Sequence, residues 1–143
     1  MPLVLLVTLA LVAVAVTIHH EALRFAARRW RREIRRPRVA VVRGVAFALA
    51  AHVLEVWVFA LGYFALLRSP GVGRLTGEFS GTLLDCSYYS FVVYTSVGFG
   101  DITPEGPLRL MSGMEALTGL VLVAWTASFL FLQIRELWGK DAR

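Results

Sequence analysis

Charge is scarce in this sequence. Only 17% of its 143 residues are Asp, Glu, Lys or Arg, while 57% are hydrophobic. Soluble domains run at about 25% charged and about 45–50% apolar, so a soluble globular fold is the weaker reading from the start. Cysteine is nearly absent. The single Cys86 permits no disulfide within the chain and belongs to no recognisable redox or metal-binding spacing. No Lys or Arg precedes the first apolar run, and no A-x-A-like site separates that run from the charges after it. A cleaved secretory leader is therefore disfavoured against a retained helix. No internal repeat, catalytic triad or metal cluster is evident, so the chain is read as neither an enzyme nor the holder of an organic cofactor. No apolar span carries arginine at every third position, which argues against an arginine-ladder voltage sensor.

What the sequence does have is a localised block of positive charge. The net charge is +5 and the isoelectric point about 10.1, which alone would suggest nucleic acid. The distribution says otherwise. Nine arginines lie from Arg24 to Arg43, and residues 19–43 hold only Glu21 and Glu33 against them, a net of +7 that leaves −2 for the rest of the chain. That segment sits between apolar runs at 2–18 and 45–67, and a third run covers 110–134. The second run is interrupted only by His52 and Glu55, and the third only by Glu115. Each reaches the length of a membrane helix, the first at the short end of the range.

A basic loop between two spans stays in the cytoplasm, which places the N-terminus outside, the 68–109 segment outside and the C-terminus inside. Arg135 and Lys140 agree. Ala22, Leu23, Ala26, Ala27 and Trp30 recur at helical spacing, so the first helix is expected to continue into the cytoplasm until Pro37 ends it. The arginines from Arg24 to Arg43 would meet anionic headgroups, with no nucleic-acid partner. His19 and His20 are read as interfacial and given no role.

The external segment divides. Residues 68–81 are rich in Gly, Ser and Pro and read as a loop. Residues 82–94 are apolar and aromatic, with Thr82 and Asp85 spaced as a capping box. Thirteen helical residues reach only about 20 Å, less than a full span. A half-helix, a glycine-containing turn and a full helix make a re-entrant arrangement, which membranes tolerate where it is buried in protein or lines a watery path.

The turn reads Thr95, Ser96, Val97, Gly98, Phe99, Gly100, Asp101. It resembles the selectivity filter of potassium channels, T-V-G-Y-G-D or close variants. Pro104 just after and the long helix beyond fit the same pattern. The resemblance covers residues 43–135. The extra first helix and small size resemble short bacterial potassium channels. A dehydrated potassium ion needs oxygen dipoles in place of its water shell, and consecutive backbone carbonyls supply them when glycines such as Gly98 and Gly100 permit unusual backbone angles. The resemblance implies that the carbonyls of Ser96, Val97, Gly98 and Phe99 line the potassium sites and that the Ser96 hydroxyl completes the innermost one. It implies that the 82–94 helix directs its negative end at a central cavity. It also implies that Asp101 bonds behind the filter while shaping the outer mouth, with Asp85 and Glu105 adding negative potential there, partly offset by Arg68, Arg74 and Arg109. Two positions depart from the commonest pattern: Ser96 stands for threonine and Phe99 for tyrosine. Tyr88 and Tyr89 stand where tryptophans are frequent and are expected to support the filter.

Ionisable groups inside spans are costly. Glu115, about 9 Å along its helix from Arg109, is read as a hydrogen-bonding brace for the filter, through a tyrosine of the pore helix, or else as a satisfied structural carboxylate. His52 and Glu55 lie one turn apart and can pair, as a proton sensor or as a buried interhelical contact. Gly119 is either a hinge or a small residue permitting close packing. Leu120, Val123, Ala127 and Ile134 fall on its helix face and are candidate cavity and gate residues.

The resulting expectation is an all-α membrane protein. Residues 1–42 form an N-terminal transmembrane helix with a basic extension, and residues 43–143 a pore domain. That domain comprises an outer helix at 43–67, the loop at 68–81, a pore helix at 82–94, the filter at 95–101 and an inner helix at 108–136. One filter and no repeat imply a homotetramer around one pore, conducting potassium passively across the plasma membrane. The alternatives are a channel of the same architecture with poor potassium-over-sodium selectivity, and a non-conducting membrane subunit that uses its arginine-rich loop to bind a partner.

Overall fold

The computed structural model describes residues 1–30 and 37–141, with side chains at 1–29 and 38–136. Four helices and one two-stranded ladder make up this part of the chain: α1 (Pro2–Trp30), α2 (Pro37–Leu66), β1 (Arg74–Gly77), α3 (Leu83–Tyr94), β2 (Ile102–Glu105) and α4 (Leu108–Asp141). Three of the helices are long and apolar enough to cross a membrane, over Pro2–Arg29, Arg38–Leu66 and Leu108–Glu136. The protein is a mostly helical, multi-pass membrane protein.

The helix bounds differ from expectation in informative ways. α1 does run unbroken through Ala22 and Ala27, with Leu23 and Ala26 buried on its inner face. Pro37 does not follow a helix end that can be seen, because residues 31–36 lie outside the described residues. It opens α2, a position where its fixed φ and missing N–H cost nothing. The outer helix therefore starts well before residue 43, since Val39, Ala40, Val41 and Val42 continue its apolar pattern, and it ends at Leu66. Ala40 anchors this inner end by packing with Val41, Leu130 and Ile134.

The loop at 68–81 contains a strand. β1 pairs antiparallel with β2, in the register Arg74↔Glu105, Leu75↔Pro104, Thr76↔Thr103 and Gly77↔Ile102. Two backbone bonds extend the tie: the Glu78 N–H donates to the Asp101 carbonyl at 3.0 Å, and the Leu108 N–H to the Val72 carbonyl at 3.1 Å. The chain entering α3 and the chain leaving the 95–101 turn are thus fastened together. Pro104 is tolerated because a two-stranded ladder consists of edges.

α3 is short, about 18 Å for its twelve residues. Its start is the capping box the sequence announces. The Asp85 N–H donates to Thr82 Oγ1 at 3.1 Å, and Asp85 Oδ2 accepts from the Thr82 N–H at 3.1 Å and the Ser80 N–H at 3.0 Å. The core packs around α3. Cys86, Tyr89 and Tyr94 belong to one buried cluster with Val56, Phe59, Ala60 and Tyr63 of α2 and Leu108, Met111 and Leu122 of α4, which Val4 and Ala15 of α1 also join.

The Asp85 carboxyl is held below the usual carboxylate range, chiefly by the Thr82 backbone N–H. A depressed group contributes stability above its ordinary value and loses it as pH falls through the depressed one. Thr82→Ala removes the cap acceptor and should cost about 1 kcal/mol in thermal unfolding. The Thr82 backbone N–H that chiefly holds the Asp85 carboxylate remains in this variant, so its stability should still fall on acidification nearly as much as the wild type's.

Candidate functional site

The 95–101 turn continues directly from the C-terminal end of α3, and its backbone completes that end. A helix leaves its last carbonyls without partners. Here the Thr95 N–H donates to the Phe91 carbonyl at 3.2 Å and the Ser96 N–H to the Val93 carbonyl at 2.9 Å. The N–H groups of Val97 and Gly98 both reach the Val92 carbonyl, at 3.1 and 3.3 Å. The Thr95 hydroxyl adds a bond to the Phe91 carbonyl at 2.7 Å.

Backbone sign alternates along the turn. Ser96 has φ 59°, Gly98 φ 58° and Gly100 φ 81°, with Val97 and Phe99 on the ordinary side between them. Alternation of this kind gathers N–H groups on one side of the chain. The N–H groups of 96–98 face α3, so the carbonyls of the same three peptides, Thr95, Ser96 and Val97, turn the other way. Among the described residues, no backbone N–H is bonded to the carbonyls of Ser96, Val97, Gly98 or Phe99. The glycines were legible as such positions. Ser96 was not: it is the one non-glycine residue with positive φ among the described residues, a conformation costing an L-residue about 1–2 kcal/mol.

Tyr88 and Tyr89 act differently from each other. The Tyr88 hydroxyl donates to Asp101 Oδ2 at 2.6 Å and so holds the far end of the turn. This bond is the main reason that the Asp101 carboxyl sits below the ordinary range. Among the described residues, Tyr89 makes no side-chain hydrogen bond to the turn, so its role differs from that of Tyr88. It is buried, and its hydroxyl meets Ser112 Oγ of α4 at 2.8 Å.

Glu115 is fully buried and does connect to α3, though not through a tyrosine of that helix. The Ser90 hydroxyl supplies the contact. The tyrosine bonded to Glu115 is Tyr63 of α2, whose hydroxyl donates to Oε2 at 2.6 Å. Tyr63 and Tyr89 then share Ser112, at 3.2 and 2.8 Å. Glu115 thus joins α2, α3 and α4 behind the turn.

Gly119 faces the last residue of α3. A Cβ there would run into the Tyr94 carbonyl oxygen, so glycine permits the close approach of α4, which is one continuous helix through this point. Leu120, Val123 and Ala127 are exposed in the single chain, Leu120 by 61% and Val123 by 45%. Val97 and Phe99 are likewise exposed, by 55% and 68%. Ile134, seven residues after Ala127 on the same stripe, is half-buried and packs toward Ala40 of α2. Glu105 is no free contributor of negative potential, since Arg74 Nε lies 2.6 Å from its Oε2.

His19 is not interfacial. It is buried at 1% exposure against Glu55, with Nδ1 2.9 Å from Oε1. His52 Nδ1 lies 3.1 Å from the other oxygen of Glu55. The ligand atoms of these three residues fall within 4.8 Å of one another. The two N···O separations are hydrogen-bond lengths, shorter than the roughly 3.3 Å between donors around a tetrahedral zinc ion. The His20 side chain, by contrast, is exposed.

Two substitutions check these contacts. Tyr88→Phe should move the Asp101 titration upward toward the ordinary carboxylate value, as read by carboxyl carbon NMR; an unmoved titration would remove Tyr88 as its cause. Glu115→Ala strips an acceptor from the Ser90 and Tyr63 hydroxyls and should destabilise the protein by about 1–3 kcal/mol in thermal unfolding.

No curated protein and no solved structure matches the chain. A family model described as ion channel matches residues 51–136, well over half of the chain, from the middle of α2 through α3 and the 95–101 turn into α4. With a short helix and a glycine-bearing turn set between two membrane-crossing helices over that stretch, the chain belongs to the family of two-transmembrane, potassium-channel-like ion channels.

Proposed function

We propose that the chain is one quarter of a potassium-selective channel, and that its 95–101 turn is the selectivity filter. The observation that carries this reading is the alternating backbone of Ser96, Gly98 and Gly100, with the N–H groups of residues 95–98 committed to α3. Four successive carbonyls, from Ser96 to Phe99, are left to replace the water of a potassium ion. Potassium is the transported substrate, held transiently by these oxygens and by the Ser96 hydroxyl.

One turn gives one oxygen per layer, and a ring requires several. The exposed apolar side chains of Val97, Phe99, Leu120 and Val123 supply an unpartnered surface on the same side as the turn and α4. A homotetramer buries that surface and closes the pore, with α3 re-entrant from the outer face. The cytoplasmic placement of the arginines between Arg24 and Arg43 puts the outer mouth of the filter outside the plasma membrane and the C-terminus inside. Those arginines lie where anionic headgroups reach them.

The test is purified protein in liposomes. Native mass should correspond to four chains. An imposed gradient should drive potassium flux that barium blocks, with sodium flux far smaller. Gly98→Ala forces a side chain into the left-handed region and should lower flux by about tenfold or more, the equivalent of about 1–2 kcal/mol of strain. Equal sodium and potassium fluxes would favour the non-selective channel, and no flux from a well-folded tetramer would favour the non-conducting subunit.

A further inference from the structure

Five polar side chains from all four helices meet at one buried point. His19 comes from α1, His52 and Glu55 from α2, Tyr94 from the last position of α3, and Thr126 from α4. His19, Glu55, Tyr94 and Thr126 are buried, and His52 is largely so, at 15% side-chain exposure. The two imidazoles lie side by side, centroids 5.2 Å apart, with the Trp125 ring 5.3 Å from that of His19. They are turned the same way. Both Nδ1 atoms face Glu55, at 2.9 and 3.1 Å. Both Nε2 atoms face the single hydroxyl of Thr126, His52 at 3.0 Å and His19 at 3.3 Å. The Tyr94 hydroxyl donates to the second oxygen of Glu55 and sits 3.0 Å from His52 Nδ1.

Counting hydrogens narrows the protonation state. With Glu55 ionised and the Tyr94 hydroxyl hydrogen on its second oxygen, both Nδ1 atoms facing Glu55 carry hydrogen. The Nε2 atoms of two neutral imidazoles would then both be bare acceptors, and Thr126 has one hydroxyl hydrogen to offer. One ring can be satisfied that way. The other is satisfied only if its Nε2 also carries hydrogen and donates to a lone pair on Thr126 Oγ1, which makes that ring an imidazolium. The charges then balance, one imidazolium against one carboxylate. In a low-dielectric interior a lone carboxylate would be costly. No Lys or Arg among the described residues bonds to Glu55. On the Tyr94 side the next ionisable group is Glu115 of α4, which cannot supply positive charge.

We propose that His19, His52 and Glu55 form a buried site that binds one proton per chain, and that this proton fastens α1 to the inner end of the 95–101 turn through Thr126 and Tyr94. The geometry favours a proton over a divalent metal. The nitrogens already lie at hydrogen-bond distance from the carboxylate, and a divalent ion would leave the site with a net positive charge. α1 lies outside the family match at 51–136, so this site is where the additional helix meets the matched unit. Losing the proton would place an Nε2 lone pair against the Thr126 oxygen with no hydrogen between them. The contact between α4 and the α1–α2 pair would weaken at the level of Tyr94.

Imidazole nitrogen NMR tests this on the full-length protein in lipid, independently of conduction. The chain has three histidines, and His20→Gln removes the exposed one. Near neutral pH the remaining two rings should give one doubly protonated imidazolium and one neutral imidazole. Adding Glu55→Gln removes the negative partner and should leave both rings neutral. Two neutral rings with Glu55 intact, or an imidazolium that persists in Glu55→Gln, would overturn the proposal. So would ring signals that change on chelation, which would assign a metal instead. The first measurement needs no substitution inside the cluster, so a misfolded Glu55→Gln protein does not remove the test.

Discussion

The structure depends on where the last turn of α3 is held. A short helix that ends inside a protein must place its last four carbonyls somewhere, and here the amides of Thr95, Ser96, Val97 and Gly98 take those of Phe91, Val92 and Val93. That commitment sets the peptide orientation of the turn that follows. The helix end itself is immobilised from three further directions. Gly119 brings α4 against the Tyr94 carbonyl, the His52–Glu55 pair receives the Tyr94 hydroxyl, and Glu115 receives Ser90 one turn earlier. The far end of the turn is held separately, by Tyr88 on Asp101 and by the β1–β2 ladder beginning at Ile102. The carbonyls between these two anchors have no competing backbone partner among the described residues, which suits them to an ion.

This arrangement divides labour between buried and exposed chemistry. The buried groups that set position, Glu55, Glu115, Ser90 and Thr126, are polar and each is hydrogen-bonded to another side chain, as polar groups withdrawn from water must be. The groups proposed to meet other chains, Val97, Phe99, Leu120 and Val123, are apolar and exposed in the single chain. In the proposed tetramer the first set fixes each quarter of the pore and the second joins the quarters. The extra helix α1 belongs to the first set. Its His19 reaches the same polar point as the pore-forming helices, so it is part of the support of the turn as well as a membrane anchor.

Much of this was legible from local pattern. The three spans follow from runs of apolar residues, the α3 start from Thr82 and Asp85, and the special backbone angles from Gly98 and Gly100. What escaped was non-local. β1 and β2 are four residues each, and β2 contains Pro104, so neither carries a strand signal of its own; their pairing exists because α3 and the turn bring residues 74–77 and 102–105 together. The sequence points Glu115 to an aromatic hydroxyl on α3, and Ser90, a shorter side chain one turn before Tyr94, occupies that place. His19 looked interfacial because it borders the basic segment. It is buried because α1 continues well past it, which puts it level with Glu55 and Thr126 on helices remote in sequence. Ser96 adopts its left-handed angle because amides on both sides are tied to α3, a constraint that its own side chain does not announce.

The central claim is that the carbonyls of the 95–101 turn select potassium. It is tested most directly by the reversal potential of purified protein in a planar bilayer, with potassium on one side and sodium on the other. The reversal potential should follow the potassium gradient and shift with each change in potassium concentration. A reversal potential near zero that ignores that gradient would contradict the claim.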